Sequence, residues 1–161
     1  NGGGDFQFAT STEDRSKLWQ ARHDAAHSCN ALRPGCVLWA TDVCVPISRL
    51  AECIHETKKD LATASMPAPL VGHVGDGNFH LCFIIDPDKP EEMAEAQTLN
   101  GRLIDRALDM DGTCTGEHGV GLGKIAYMER EHGEGISVMR AIKKTLDPDN
   151  IMNPGKIISM N

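Results

Sequence analysis

The chain has 161 residues, 16 basic against 23 acidic, for a formal net charge of -7. That is room for one domain with a real core and not for two comfortable ones. Lysines and arginines are scattered and aromatics make up only 4%, which argues against a nucleic-acid or anionic-membrane surface. No apolar run approaches the roughly 20 residues of a membrane span, and no basic-then-apolar signal segment opens the chain.

In chain order, "NGGGDFQF" lacks an initiator Met and reads as a point inside a longer polypeptide. "TSTEDRSKLWQARHDAAHSC" predicts a helix, with Ser11 and Asp14 as its capping pair and Leu18, Arg22, Ala25, Ala26 and Cys29 on one face. "CVLWATDVCVPI" reads as a strand closed by Pro46. "ISRLAECIHETKKDLATAS" predicts an amphipathic helix presenting Ile47, Leu50, Ile54 and Leu61. "APLVGHV" and "FHLCFII" are two short β segments. The clearest helix is "PEEMAEAQTLNGRLIDRALDMDG": Pro90 suits its first turn, acidic residues follow, and Gly112 lies just past its end. Its expected stripe is Met93, Ala96, Asn100, Leu103, Ile104, Ala107 and Leu108. "TCTGEHGVGLGK" reads as a strand entering a glycine-rich loop, followed by helical pieces near 123–131 and 134–146 and a C-terminus in turns. Mixed helices and strands with a central hairpin make the fold class α+β, with a mainly antiparallel sheet. The cysteines at 29, 36, 44, 53, 82 and 114 include no C-x-x-C pair. They read as small apolar residues of a reducing compartment rather than as a disulfide framework.

The two β segments flank "GHVGDGNFH". Asp76-Gly77 is a two-residue hairpin signal, and a turn centred there sets His73 directly opposite His80, with Cβ atoms about 4.5 to 5.5 Å apart. Two imidazoles so placed are either a cross-strand aromatic pair or half of a divalent-metal site. A third ligand is best supplied by "TGEHGVG", where Glu117 and His118 stand between glycines. Neighbours on a strand face opposite ways, so one can ligate while the other meets a substrate. A phosphate-loop reading of the same glycines fails: His118 occupies the place of the first Gly of G-x-x-x-x-G-K, and "GVGLGK" misses the last Gly of G-x-G-x-x-G. Arg22, on an otherwise apolar helical face, is either a paired or snorkelling guanidinium or a bidentate clamp for a carboxylate.

Five segments, "ATSTEDRSKLWQARHDA", "TDVCVPIS", "VGHVGDGNFH", "GTCTGEHGVGLGK" and "LDPDNIMNPGK", together resemble the C-terminal part of FAD-linked D-lactate dehydrogenases. These belong to the vanillyl-alcohol-oxidase flavoprotein superfamily. The resemblance covers nearly the whole chain in order. It implies the ferredoxin-like cap of FAD-linked oxidases, and an FAD enzyme that oxidises a D-2-hydroxy acid to the 2-oxo acid with hydride passing to the flavin. It also implies one divalent ion, Zn or Mn, on His73, His80 and Glu117. His118 is then the catalytic base, Arg22 the substrate-carboxylate residue, and Asn153, in "MNPGK", a residue approaching the flavin. An N-terminal FAD-binding domain and the start of the cap have no counterpart in residues 1–161, so the same polypeptide or a second chain would supply them. Cytochrome c or a quinone is the expected class of electron acceptor. The address would be mitochondrial in a eukaryote, and cytoplasmic or membrane-associated in a bacterium. The competing reading, from another class, is a non-catalytic metal-binding accessory module. Retention of His118 and Arg22 argues against it, because neither is needed merely to hold a metal.

Overall fold

The computed structural model describes residues 8–160, so most of the "NGGGDFQF" segment lies outside the described residues. The elements run α1 (Thr12–His23), α2 (Ala25–Asn30), β1 (Val37–Ala40), β2 (Val43–Cys44), α3 (Ile47–Leu61), β3 (Leu70–His73), β4 (Asn78–Ile85), α4 (Pro90–Asp109), α5 (Ile125–His132) and α6 (Gly135–Leu146). Helices pack on a small, wholly antiparallel sheet, which is the α+β arrangement expected.

β4 is the spine. β1 and β2 pair with one edge of it and β3 with the other, and all eight of its residues are buried. β1 and β2 keep a single register, from Val37 opposite Ile85 to Cys44 opposite Asn78. The one strand expected over this segment is therefore real in its pairing but interrupted at Thr41–Asp42. There the Thr41 hydroxyl, in place of a carbonyl, accepts the Leu81 N–H at 2.9 Å. That substitution leaves the Thr41 carbonyl free for another partner.

Alternation along β4 divides its residues between two environments. Phe79, Leu81, Phe83 and Ile85 belong to the main core with residues of α3 and α4. Trp39 adds an aromatic contact to Phe83, ring centroids 6.0 Å apart. Each such side chain contributes about 1.5–3 kcal/mol by leaving water. On the other side, Cys82 and Ile84 pack with Cys29, Cys36, Leu38 and Val71 in a smaller cluster. His80 and Asn78 continue that same side of the strand. The apolar packing gives way there to polar residues, and the site lies at that change.

Of the expected α4 stripe, Ala96, Leu103, Ile104 and Ala107 are buried and Met93, Asn100 and Leu108 are half-buried, while Leu99 and Glu92 join the buried face. On α3 the buried line is Leu50, Cys53 and Thr57; Ile54 and Leu61 flank the core and Ile47 is exposed. Ser11 caps α1 by accepting the Asp14 N–H at 3.0 Å. The single first helix expected is instead two helices joined at Asp24. Its supposed buried face is mostly open, with no residue of α1 buried and Leu18 62% exposed. An Asp in a helix interior competes for backbone hydrogen bonds and favours a break. All six cysteines are free thiols.

One ion pair ties the segment after α2 to the start of α4. Arg33 grips the buried Glu92 with two bonds, at 2.7 and 3.0 Å. The Arg33 hydrogen bond, followed by the Asp86 N–H, holds the Glu92 carboxyl down at about 2. A carboxyl depressed in the fold adds stability that is complete above its unfolded value and lost as pH falls toward the folded one. Thermal unfolding of the wild type should therefore lose stability more steeply between about pH 5 and about pH 2 than that of Glu92→Gln. Parallel curves would assign the acid sensitivity to other groups.

Candidate metal and substrate site

His73 and His80 do share a face, but by a different register from the one expected. β3 pairs with β4 so that His73 lies opposite Asn78 and His80 opposite Val71. The loop is four residues, Val74 to Gly77, with its centre one position earlier than Asp76-Gly77. That shifts the pairing by two places, which preserves the face and turns a direct pair into a diagonal one. The rings meet edge to face with centroids 5.9 Å apart. Packing outside the hairpin explains the shift. Gly77 is held at a φ of +77°, and a Cβ there would come within 2.0 Å of the Val45 carbonyl oxygen.

"TCTGEHGVGLGK" is not a strand. Only Thr113 bridges to Cys44, and the rest is bends and turns. What shapes it is Asp42, a residue the sequence reading passed over. The Asp42 side chain is 3% exposed. Its Oδ2 accepts the Thr115 hydroxyl at 2.8 Å and the successive N–H groups of Gly116, Glu117 and His118 at 2.8, 3.1 and 3.0 Å. Its Oδ1 accepts the Asn78 amide at 2.8 Å. Burial alone would push this carboxyl up. The His118 N–H, the Thr115 hydroxyl, the Asn78 amide and the Glu117 N–H outweigh it and hold the carboxyl well below the usual range. Gly116 is required by the same closeness, since a Cβ would lie 1.9 Å from Asn78 Nδ2. Lys124, the lysine of the rejected phosphate-loop pattern, donates to the Asp42 carbonyl oxygen at 2.5 Å.

The curled loop brings Glu117 Oε1 to 3.2 Å from His73 Nε2 and 3.1 Å from His80 Nε2. One ligand atom from each of these three residues lies within 4.8 Å of the others. The partner of His80 fixes its chemistry. Its Nδ1 lies 2.9 Å from the carbonyl oxygen of Thr41; a carbonyl can only accept, so Nδ1 carries the proton. With Nδ1 committed to that carbonyl, Nε2 is the nitrogen left to face Glu117 Oε1, 3.1 Å away. Two imidazole nitrogens and a carboxylate, one imidazole oriented from behind by a carbonyl, fit a divalent cation of the zinc or manganese kind.

Arg22 and His118 complete the setting. Arg22 Nη2 donates to His73 Nδ1 at 3.0 Å, and its guanidinium lies over Trp19, 5.4 Å from the ring centroid. The His118 ring stacks on His80 with centroids 5.1 Å apart and its side chain is about half exposed. All five residues line one cavity of about 450 Å³, whose apolar wall includes Ala25, Ala26, Leu38, Ala40 and Val71. Asn153 is not among them. It holds a left-handed turn at a φ of 48° and lines a separate, mostly apolar hollow with Met139, Ile142, Leu146 and Ile157.

The family described as FAD linked oxidases, C-terminal domain, matches residues 1–157. The chain belongs to that family. Within it, the chain is 53% identical over 161 residues to a protein of Danio rerio named probable D-lactate dehydrogenase, mitochondrial; the match covers 99% of this chain and 32% of that protein. It is 51% identical to D-lactate dehydrogenase [cytochrome], mitochondrial, of Arabidopsis thaliana, covering 97% of this chain and 28% of the relative. Further off, it is 34% identical to the glycolate oxidase subunit GlcD of Bacillus subtilis, covering 95% and 32%. The chain thus spans about a third of the length of the curated relatives it matches. An FAD linked oxidase C-terminal domain in this sense carries the cavity just described.

Proposed function

We propose that this chain is the substrate- and metal-binding part of an FAD-dependent dehydrogenase that oxidises a D-2-hydroxy acid of the D-lactate kind to its 2-oxo acid. One observation carries the reading: a guanidinium, four imidazoles (His23, His73, His80 and His118) and a carboxylate line a single cavity that has an apolar wall. Family membership and the names of the relatives support the flavin and the class of substrate. His73, His80 and Glu117 would hold the ion. When bound, a divalent ion supplies Lewis-acid stabilisation of negative charge and FAD supplies an acceptor for two electrons.

The remaining roles belong to side chains of this chain. Arg22 offers a planar fork to the substrate carboxylate, which fixes how the acid lies in the cavity. His118, on the rim and in contact with His80, takes the proton of the substrate hydroxyl. The apolar wall receives the C3 side of the acid and keeps water from the reacting carbon. The assignment of Asn153 to the flavin rests on the "MNPGK" motif. The FAD-binding domain would come from the same polypeptide or a second chain, and the reduced flavin would pass electrons to cytochrome c or a quinone. The mitochondrial relatives support a mitochondrial address for a eukaryotic form.

The test is anaerobic mixing of the purified full-length enzyme with D-lactate and, separately, L-lactate. Bleaching of an FAD spectrum by the D-acid alone is expected. A colourless protein that binds metal would favour the accessory-module reading, and bleaching by neither acid would remove the substrate class. Arg22→Lys in the same enzyme should raise KM sharply, because one ammonium cannot reproduce a bidentate fork. Unchanged steady-state kinetics would return Arg22 to a structural partner of His73 and Trp19.

A further inference from the structure

We infer that Asp42 is a positioning residue for the reaction, the group that makes Glu117 and His118 work on one substrate. The inference rests on the proposed function in that it assigns those two residues to one site. In an extended backbone, neighbours such as Glu117 and His118 point to opposite sides. Here both line the same cavity. The cause is a turn of the backbone: three consecutive N–H groups, from Gly116 to His118, point inward to one oxygen of Asp42. A backbone with three successive amides aimed at a point is curled, not extended, and its side chains fan out from the curl on one side.

Asp42 is itself held from several directions. Thr115 and Asn78 donate to its carboxylate, and Lys124 donates to its carbonyl. Asp42 Oδ1 also lies 3.6 Å from His80 Nδ1, beside the Thr41 carbonyl that orients that ring. One acidic side chain therefore sets the loop that carries Glu117 and His118 and abuts the strand that carries His80. Asp42 does not line the cavity, so its effect passes through the residues it holds. An amide cannot replace it. In Asp42→Asn, if the amide nitrogen faces the loop it opposes four donors, and if it faces the other way it opposes the Asn78 amide.

The experiment uses the full-length enzyme with Asp42→Asn and, as the milder variant, Thr115→Ala. Three readouts are compared: flavin content, divalent-metal affinity with Mn²⁺ and Zn²⁺ as probes, and hydrogen exchange of the peptide spanning 113–124. Flavin content should be unchanged. Metal affinity should fall by ~10–100-fold in Asp42→Asn, the range for loss of an outer-shell partner, with kcat falling more than KM rises. Exchange in 113–124 should quicken while that of β4 stays slow. Thr115→Ala should move the same readouts in the same direction by a smaller factor, and it decides the matter if Asp42→Asn does not fold. Wild-type exchange, metal affinity and kcat in a folded Asp42→Asn, or in Thr115→Ala when the first is unfolded, would overturn the inference. If the wild type binds no metal while Asp42→Asn still loosens 113–124 and lowers kcat, the metal assignment fails and the positioning role stands.

Discussion

Replacing His118 by Ala in the full-length enzyme should leave flavin and metal bound and lower kcat by on the order of 10² to 10⁴, the usual range for a positioned general base. The expectation follows from how His118 is held. Its backbone N–H is bound to Asp42 at 3.0 Å, so removing the ring leaves the loop anchor intact. Its ring stacks on His80 but supplies none of the three converging ligand atoms. The imidazole is about half exposed on a cavity wall, a place from which the proposed base would meet a substrate hydroxyl and pass the proton on to water. Substrate binding should weaken less than turnover, because the carboxylate clamp proposed at Arg22 is untouched. The decisive measurement is the rate of anaerobic flavin bleaching by D-lactate in a stopped flow. A variant whose flavin is reduced as fast as the wild type's would show that His118 is not the base.

The fold class and most element positions were legible in the sequence because burial follows periodicity. The α4 stripe states which face meets the core, whereas "FHLCFII", buried on both faces, marks a strand without saying which face meets which cluster. The site was legible in its residue types, two histidines around a tight loop and a Glu-His pair between glycines. What escaped depended on packing between distant segments. The hairpin centre moved because Gly77 and Val45 touch, a contact that no local turn preference encodes. Asp42 escaped because its partners, Asn78 and Thr115 to His118, lie 36 to 76 positions away. A signal was present all the same: an ionisable residue in the middle of "CVLWATDVCVPI" is rarely buried without paired donors. α1 misled in the other direction, since its scattered apolar residues have no core to meet in the described residues.

His80→Ala should weaken divalent-ion binding by the full-length enzyme by more than the ~10–100-fold that loss of a supporting hydrogen-bond partner costs, because under the proposed assignment it removes a ligand and not merely its support. His80 is the best prepared of the three. Its side chain is 9% exposed, and the Thr41 carbonyl commits Nδ1 as a donor, so under the proposed ligand set Nε2 would meet an ion with no rotamer or tautomer to reorganise. His73 differs. Arg22 donates to its Nδ1, which places the ring proton on Nε2, the nitrogen facing Glu117. Ligation through that nitrogen needs the opposite tautomer, with a proton on Nδ1, where Arg22 is now a competing donor. Arg22 and a bound ion would therefore draw His73 toward different forms, and release of Arg22 from His73 would free its fork for the carboxylate of the proposed substrate. Arg22→Met should accordingly bind the ion at least as tightly as the wild type, while His80→Ala binds it far more weakly. Elemental analysis after dialysis against graded chelator, run side by side on the three proteins, checks both statements. Equal metal retention by wild type and His80→Ala would sink the ligand assignment, and weaker retention by Arg22→Met would mean that Arg22 supports the ligated ring instead of opposing it.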